Sequence, residues 1–523
     1  MSQSTDGSAK VAGATYTRAG KEYFEKRGLK RSAGVWGLWG LAVAAVISGD
    51  FSGWNFGIDF AGFGGMLIAF VILVVMYYGM IFSIGEMAAA MPHTGGAYSF
   101  ARSAMGPWGG LVTGAAETIE YVATTAVIVF FSASYANAIT AELLGFDLSA
   151  SGANMMWVWY VVLYLVFVVL NAAGANISFK FAIVVSIISI GIIVVFSAMA
   201  IFSGAFQVAN LWDIAPDPGQ TEFLPHGVLP ILFALPFAMW FFLGIEELPL
   251  AAEESHNPVR DIPRAGFWAR GTLIVTGLLV LVLNTGVIGA EATGVSLEPL
   301  LDGFRAIVGD ELAAVLALLA LVGLLASLQG IMFAYGRNMY SLSRAGYYPK
   351  FLSLTGKRQT PWVALLVGAV IGFVSLIVLD LLAASDPENA GAVAGAIVLN
   401  IAVWGAVLAY LLQMVSFVIL RKKLPNIERP YRSPWGITGA VVAALISALI
   451  FVGFLLNPTF LPAIIAIAIV YVIILVGFAL FFRHRLVLSP EEEYALSGGK
   501  HGDPQAEGYD AMEEEVFGDR KPE

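Results

Sequence analysis

The chain has 523 residues, 58% of them hydrophobic and 13% charged, with a mean hydropathy of +0.80 and a formal net charge of −10. A soluble globular chain rarely combines these values, so they exclude a string of soluble domains and point to one membrane domain with short polar ends. The cysteine count is zero, which excludes disulfides, Cys-ligated zinc and iron–sulfur clusters.

Taken in chain order, residues 1–31 are polar and mixed in charge, without the apolar core and cleavage site of a signal peptide. They read as an N-terminal tail, and the first membrane helix serves as the insertion signal. A crossing needs about 20 mostly apolar residues. Candidate spans lie at roughly 35–60, 64–90, 107–137, 155–173, 178–204, 227–252, 267–290, 311–335, 361–382, 392–420, 436–456 and 459–482. The acidic stretch 489–523 has few large apolar residues and reads as a disordered tail.

Charge placement tests this count of twelve. Lys26, Arg27, Arg31, Arg102, Lys180, Arg260, Arg264, Arg270, Arg337, Arg344, Lys357, Arg421, Lys422, Arg429, Arg432 and Arg483 fall on one side. The opposite loops carry Glu142, Asp147, Asp213, Asp217, Glu222, Asp302, Asp310, Asp386 and Glu388, with Arg305 as their only base. The positive-inside rule makes the basic side cytoplasmic, with both termini there.

Two spans carry breaks. Span 1 holds Ser48, Gly49, Asp50, Ser52, Gly53 and Asn55 in its middle. Span 6 sets Pro236, Gly244 and Pro249 around the adjacent acids Glu246 and Glu247. Glycine weakens a helix and polar groups are costly in lipid, so such stretches read as unwound backbone lining a cavity. Spans 1 and 6 lie five apart, the signature of two inverted halves whose paired broken helices mark a transport site. The alternative is close helix packing at small residues, preferred for Gly40, Gly57, Gly62, Gly64 and Gly65. Residues 32–204 and 205–420 then form the two repeats, and 421–488 adds spans 11 and 12.

The acids at membrane depth are Asp50, Glu117, Glu120, Glu246 and Glu247, with no Lys or Arg at comparable depth. Each must be protonated, hydrated in a cavity, or met by a cation from outside. A cationic substrate or a transported proton would each offset the excess. Glu117 and Glu120 are three apart and share a face of span 3 with Tyr121; the alternative is that they lie near a water boundary. Glu246 and Glu247 diverge by about 100° on an intact helix, so at least one faces the cavity. Phe51, Trp54, Trp240, Phe241 and Phe242 flank the breaks and suit an ammonium group by cation–π contact. Glu86, Glu253 and Glu254, at the basic ends of spans 2 and 6, read as structural or gating groups.

Three segments carry a family likeness. "MPHTGGAYSFARSAMGPWGG" (Met91 to Gly110), "AAEESHNPVRDIPRA" (Ala251 to Ala265) and "YGRNMYSLSRAGYYPKFL" (Tyr335 to Leu352) resemble the stretches after spans 2, 6 and 8 of the amino acid–polyamine–organocation (APC) permeases. The resemblance covers roughly residues 32 to 485. It implies an all-α polytopic membrane protein of twelve transmembrane helices. It also implies a five-plus-five inverted repeat of the LeuT/APC kind, discontinuous helices 1 and 6, and substrate between spans 1, 3, 6, 8 and 10. "VISGDFSGWNFG" (Val46 to Gly57) is similar to the ethanolamine permease branch of that superfamily, where an acid replaces part of the short Gly–Ser–Gly break that receives an amino acid carboxylate. A carboxylate would meet a like charge at Asp50, whereas an amine without one would meet a partner.

The expected substrate site is Ser48, Gly49, Asp50, Phe51, Ser52, Gly53, Glu120, Trp240, Phe241, Gly244, Glu246 and Glu247, with Glu117, Glu120 and Glu246 as coupling candidates. The expected partners are ethanolamine and the lipid bilayer, with no nucleic acid, metal or cofactor. Some proton-coupled members carry a Lys in span 5, where this chain has Ser186 and Ser189. Ser327 in span 8 is a candidate contributor to a sodium site or a packing serine. The competing reading is an amino acid or polyamine permease of the same fold. A membrane enzyme is disfavoured because His93, His226, His256, His484 and His501 all lie outside mid-membrane and no HExxH or GxSxG element occurs. A channel is disfavoured because two dissimilar halves with broken helices fit alternating access better than a continuous filter.

Overall fold

The computed structural model of the chain describes residues 2–3, 8–17, 29, 31–149, 155–383, 390–425 and 427–487. The expected tail at 489–523, most basic residues before span 1, Asp386 and Glu388 lie outside these residues.

Among the described residues, nine helices are long and apolar enough to cross a membrane, and three shorter apolar helices accompany them. In chain order they are α1 (Val35–Val46), α2 (Phe56–Ala90), α3 (Ala97–Leu144), α4 (Trp157–Ala172), α5 (Ala175–Phe202), α6 (Pro230–Met239), α7 (Pro258–Ile288), α8 (Asp310–Arg344), α9 (Trp362–Ala383), α10 (Ala390–Lys423), α11 (Gly436–Leu456) and α12 (Leu461–Gly477). Three run well past the expected spans at the basic end. The family-like segments after spans 2, 6 and 8 fold largely as helix, extending α3, α7 and α8 at the basic end. Within α3 this continuation bends at Gly106 (φ +80°), directly before Pro107.

Two of the interrupted regions fall where glycine, proline and polar residues cluster. After α1 the chain narrows to a tight turn at Ile47–Asp50 and unwinds until Phe56. After α6 it unwinds over residues 240–244, turns at Gly244 (φ +107°) and continues as the 3₁₀ segment Ile245–Glu254.

Small residues set the interhelix distances, as membrane packing requires. A Cβ on Gly330 of α8 would lie 2.6 Å from Ala45 Cα of α1, and one on Gly405 of α10 would lie 2.8 Å from the Ala116 carbonyl oxygen of α3. Gly40 abuts Ile183 and Gly64 abuts Phe223 in the same way, consistent with their reading as packing residues. Outward faces are apolar, as on α5 (Val184, Ile187, Val194) and α12 (Ile469, Val472, Ile473), where lipid rather than water is the solvent.

The sequence reading held no strand. A four-stranded sheet caps the basic end, with Ser2–Gln3, Ser8–Val11, Ala14–Thr17 and Leu486–Val487 in that order. Ala12 (φ +47°) and Gly13 (φ +79°) close the central hairpin as a two-residue turn with both φ positive. Tyr16 from this hairpin is buried against Arg102, whose Nε donates to the Tyr16 hydroxyl at 3.2 Å.

The same end is tied by ion pairs. Arg337 and Glu254 are both fully buried and bonded in a fork at 2.8 and 3.2 Å. Arg344 pairs with Glu253. Burial pushes the Glu253 carboxyl up, and the Arg344 guanidinium outweighs that and holds it at about 2. Glu86 joins Arg421 (2.9 and 2.5 Å), Arg429 (3.2 Å) and the Ser433 backbone N–H (2.7 Å). All three acids form ion pairs that tie elements together at the basic end.

Candidate functional site

The two breaks meet backbone to backbone. A Cβ on Gly49 would lie 2.2 Å from the Trp240 carbonyl oxygen and 3.1 Å from Phe241 Cα, so only glycine permits the approach. Gly53 (φ +92°) lies against the Trp240 indole, where an added Cβ would sit 3.0 Å from Nε1. Every residue from Ser48 to Asn55 is buried, as are Trp240 to Glu247.

Unwound backbone at this depth needs partners from neighbouring helices, and hydroxyls supply them. The Ser48 N–H donates to Ser327 Oγ of α8 at 2.8 Å, and that hydroxyl donates to the Ala44 carbonyl at 2.6 Å. Tyr135 of α3 donates to the Phe51 carbonyl at 2.8 Å. Ser52 donates to the Leu297 carbonyl at 2.8 Å. Asn55 Nδ2 donates to the carbonyls of Thr293 and Ser296, while its Oδ1 accepts from the Gly53 N–H. Ser186 ties α5 to the Gly40 carbonyl of α1 at 3.0 Å, and Ser189 donates to the Val185 carbonyl within α5. Ser48 and Ser52 therefore brace the break through backbone N–H and hydroxyl.

The acids fall into two groups. Glu120 of α3 and Glu246 of the second break converge on Tyr410 of α10, whose hydroxyl lies 3.2 Å from Glu120 Oε1 and 2.5 Å from Glu246 Oε2. The Gly244 N–H also donates to Glu246 Oε2, at 3.1 Å, so the unwound backbone itself grips this carboxylate. Glu117, one turn before Glu120, accepts from Asn338 Nδ2 at 3.2 Å and from the Tyr121 hydroxyl at 3.5 Å. Neither Glu247 oxygen has a hydrogen-bond donor among the described residues. Arg337 Nε and Nη2 bond Glu254 instead.

Asp50 stands apart from this cluster. A Cβ on Gly277 of α7 would lie 3.4 Å from Asp50 Oδ1, 3.0 Å from the Phe241 ring and 3.1 Å from the Phe70 ring. The carboxylate thus nests at bare α7 backbone between two rings. Thr276 is its polar neighbour, with its hydroxyl directed at the Thr272 and Leu273 carbonyls, and neither Asp50 oxygen has a donor among the described residues. An aromatic chain links the two groups. Trp54 and Phe70 each contact Phe241 at 5.3 Å, Phe70 meets Phe242 at 5.3 Å, Phe242 meets Tyr77 at 5.2 Å, and Tyr77 meets Tyr410 at 5.9 Å.

The structure therefore brings together Glu117, Glu120, Glu246 and Glu247 from α3 and the second break, and sets Asp50 behind Phe241 and Phe70. Phe51 packs its ring on Gly323 of α8. Tyr410, Tyr77, Asn338 and Tyr135 were absent from the sequence reading. The signal for Tyr410 was available: a polar tip in the middle of an otherwise apolar span, close to Gln413.

The sequence model of the family described as amino acid permease matches residues 37–489. Among curated relatives, an uncharacterised transporter of Rhizobium meliloti is 27% identical over 415 residues, spanning 78% of this chain and 83% of its own length. The amino-acid permease RocC of Bacillus subtilis is 27% identical over 373 residues, spanning 67% of this chain and 74% of its own. A probable GABA permease of Pseudomonas aeruginosa is 26% identical over 435 residues, spanning 78% and 84%. With both breaks inside the matched region, the chain belongs to the amino acid permease family: it is a multi-pass membrane transporter of a small molecule rather than an enzyme, and membership implies a LeuT-like helical fold.

Proposed function

We propose that this transporter imports a small amine cation, with ethanolamine as the leading candidate, by alternating access. The observation that carries the reading is the Glu120–Tyr410–Glu246 cluster, flanked by Glu117 and Glu247. Four buried carboxylates, with Arg337 Nε and Nη2 bonded to Glu254 rather than to them, favour a ligand that brings positive charge. The ammonium group docks between Glu120 and Glu246. Asp50, across the Phe241 and Phe242 rings, is the second negative station, reached as the bundle carrying the breaks rocks against the scaffold. Glu117, Glu120 and Glu246 are the candidates for carrying a coupled proton. The three short apolar helices complete twelve crossings, arranged as repeats over 32–204 and 205–420 with both ends cytoplasmic, and the basic end then faces the cytoplasm.

A second reading, transport of an amino acid, is favoured by the relatives named for amino acids and GABA. The amine of a zwitterion fits the same cluster, but its carboxylate has to avoid Asp50. Uptake of radiolabelled ethanolamine, serine and GABA into proteoliposomes, with and without an imposed pH gradient, separates the readings. Ethanolamine uptake that outcompetes serine supports the first. Serine or GABA uptake with no ethanolamine uptake removes it.

A further inference from the structure

At the basic end, the start of α7 and the connection from α10 to α11 line an open surface cavity of about 510 Å³, with Arg260, Arg264, Phe267, Trp268, Pro430 and Tyr431 among its lining residues. Arg260 and Arg264 are one helical turn apart, exposed, and without an ion pair among the described residues. The nearest acid in sequence, Asp261, faces the helix start, where it accepts from Ser255 and from the Asn257 N–H. The cavity wall is therefore basic and aromatic.

A third arginine stands behind that wall. Arg270 is 1% exposed and its guanidinium lies 3.6 Å from the centre of the Tyr78 ring, 4.8 Å from Phe82 and 5.3 Å from Phe267. Its Nε and Nη1 have no hydrogen-bond partner among the described residues. A cation so buried and so placed adds positive potential at the cavity wall.

Beyond the cavity the same helix turns apolar. Phe267 and Trp268 are half exposed, and Val275 and Leu278 continue the exposed face into the span. Trp435, stacked on Tyr78 at 5.6 Å, is exposed beside them. Tryptophans at the end of an apolar face mark the level of lipid headgroups. The cavity thus joins a pair of free guanidinium groups to a surface built for acyl chains.

We propose that this cavity binds the headgroup of an anionic phospholipid, with the phosphate held by Arg260 and Arg264 and the acyl chains laid along Phe267, Trp268 and Val275. Guanidinium forks match phosphate oxygens in geometry and charge, and basic pockets at this depth suit anionic headgroups. A free phosphate would use the arginines but not the apolar face, which is why a lipid is the source chosen.

The test is native mass spectrometry and thermal unfolding of the detergent-purified full chain with phosphatidylglycerol, phosphatidylcholine or inorganic phosphate. Wild-type protein is expected to retain phosphatidylglycerol in preference to phosphatidylcholine and to unfold at higher temperature with it. Arg260→Gln combined with Arg264→Gln is expected to weaken phosphatidylglycerol binding about 10- to 30-fold. Lys357→Gln, an exposed base elsewhere on the same end, is expected to leave it unchanged. If the double variant fails to fold, Arg264→Gln alone is read for a partial loss. Unchanged binding in the variant that folds, equal retention of phosphatidylcholine, or displacement of the lipid by inorganic phosphate each overturns the proposal.

Discussion

Tyr410→Phe removes one oxygen from the centre of the carboxylate cluster and little else. The hydroxyl lies 2.5 Å from Glu246 Oε2 and 3.2 Å from Glu120 Oε1, so its single proton is donated chiefly to Glu246. After the substitution Glu246 keeps the Gly244 N–H at 3.1 Å but loses the short bond from the Tyr410 hydroxyl, and Glu120 Oε1 loses its 3.2 Å contact with the same oxygen. A hydrogen bond to a charged group contributes about 1.5–3 kcal/mol. If the two carboxylates must be held in register to share an ammonium, that loss is roughly 10- to 150-fold in kcat/KM for uptake. Initial rates of labelled ethanolamine uptake in proteoliposomes measure it, with thermal unfolding in detergent to confirm the fold. Tyr335→Phe is the control, since its hydroxyl donates to the Leu365 carbonyl at 2.7 Å, away from the acids, and is expected to lower stability without a specific loss of uptake. A kcat/KM for Tyr410→Phe within about twofold of wild type refutes the idea that this hydroxyl organises the site.

Asp50→Asn is expected to abolish uptake while leaving expression intact; normal uptake removes Asp50 from the transport cycle. Gly49→Ala forces a methyl group against the Trp240 carbonyl and is expected to cost about 1–3 kcal/mol or more in thermal unfolding, along with activity, whereas Gly191→Ala, which meets nothing within 4 Å, is expected to be silent. Arg337→Met strands Glu254 and is expected to destabilise by about 3–5 kcal/mol, with Arg337→Met plus Glu254→Met less damaging than the single change. Glu253→Gln tests a pH claim. The Glu253 carboxyl is depressed to about 2, so its pairing with Arg344 contributes fully above the ordinary carboxylate range and is lost only as pH falls towards 2. The variant should therefore lose the same thermal stability at pH 5 as at pH 8, and a loss confined to pH 8 contradicts the pairing.

The two breaks were legible because their cause is local. Glycine, proline and polar side chains at mid-span weaken a helix wherever they occur, and Ser48 to Gly53 and Pro236 to Pro249 show that composition plainly. Glu86, Glu253 and Glu254 were legible for a similar reason: acids at the ends of spans, near many bases, find ion pairs. What joins the acids was not. Glu120, Glu246 and Tyr410 sit on three elements far apart in sequence, and only packing places one hydroxyl between two carboxylates. Nor was the direction of Asp50 readable. An unwound segment has no 3.6-residue period to project, so nothing in its spacing says that the side chain turns to α7. The hairpin at Ser8–Thr17 is too short to carry a periodic signal, though Ala12–Gly13 between Val11 and Ala14 was a turn cue in plain view. The extended α3 and α8 escaped because their polar outer turns do not belong to a membrane span and read as loop.

The carboxylate excess and the tight basic end together constrain the transport cycle. In the proposed alternating-access cycle, opening towards the basic end moves the segment Ile245–Glu254, which carries Glu246 at one end and the Glu254–Arg337 pair at the other. A closed state with several unmatched carboxylates is costly, because charge removed from water without a partner loses its solvation. A cation or proton arriving at Glu120 and Glu246 lowers that cost specifically in the closed arrangement, and so favours closure over the loaded site. Under the proposed reading, the acids that select a positive substrate would also couple its binding to the movement that carries it across.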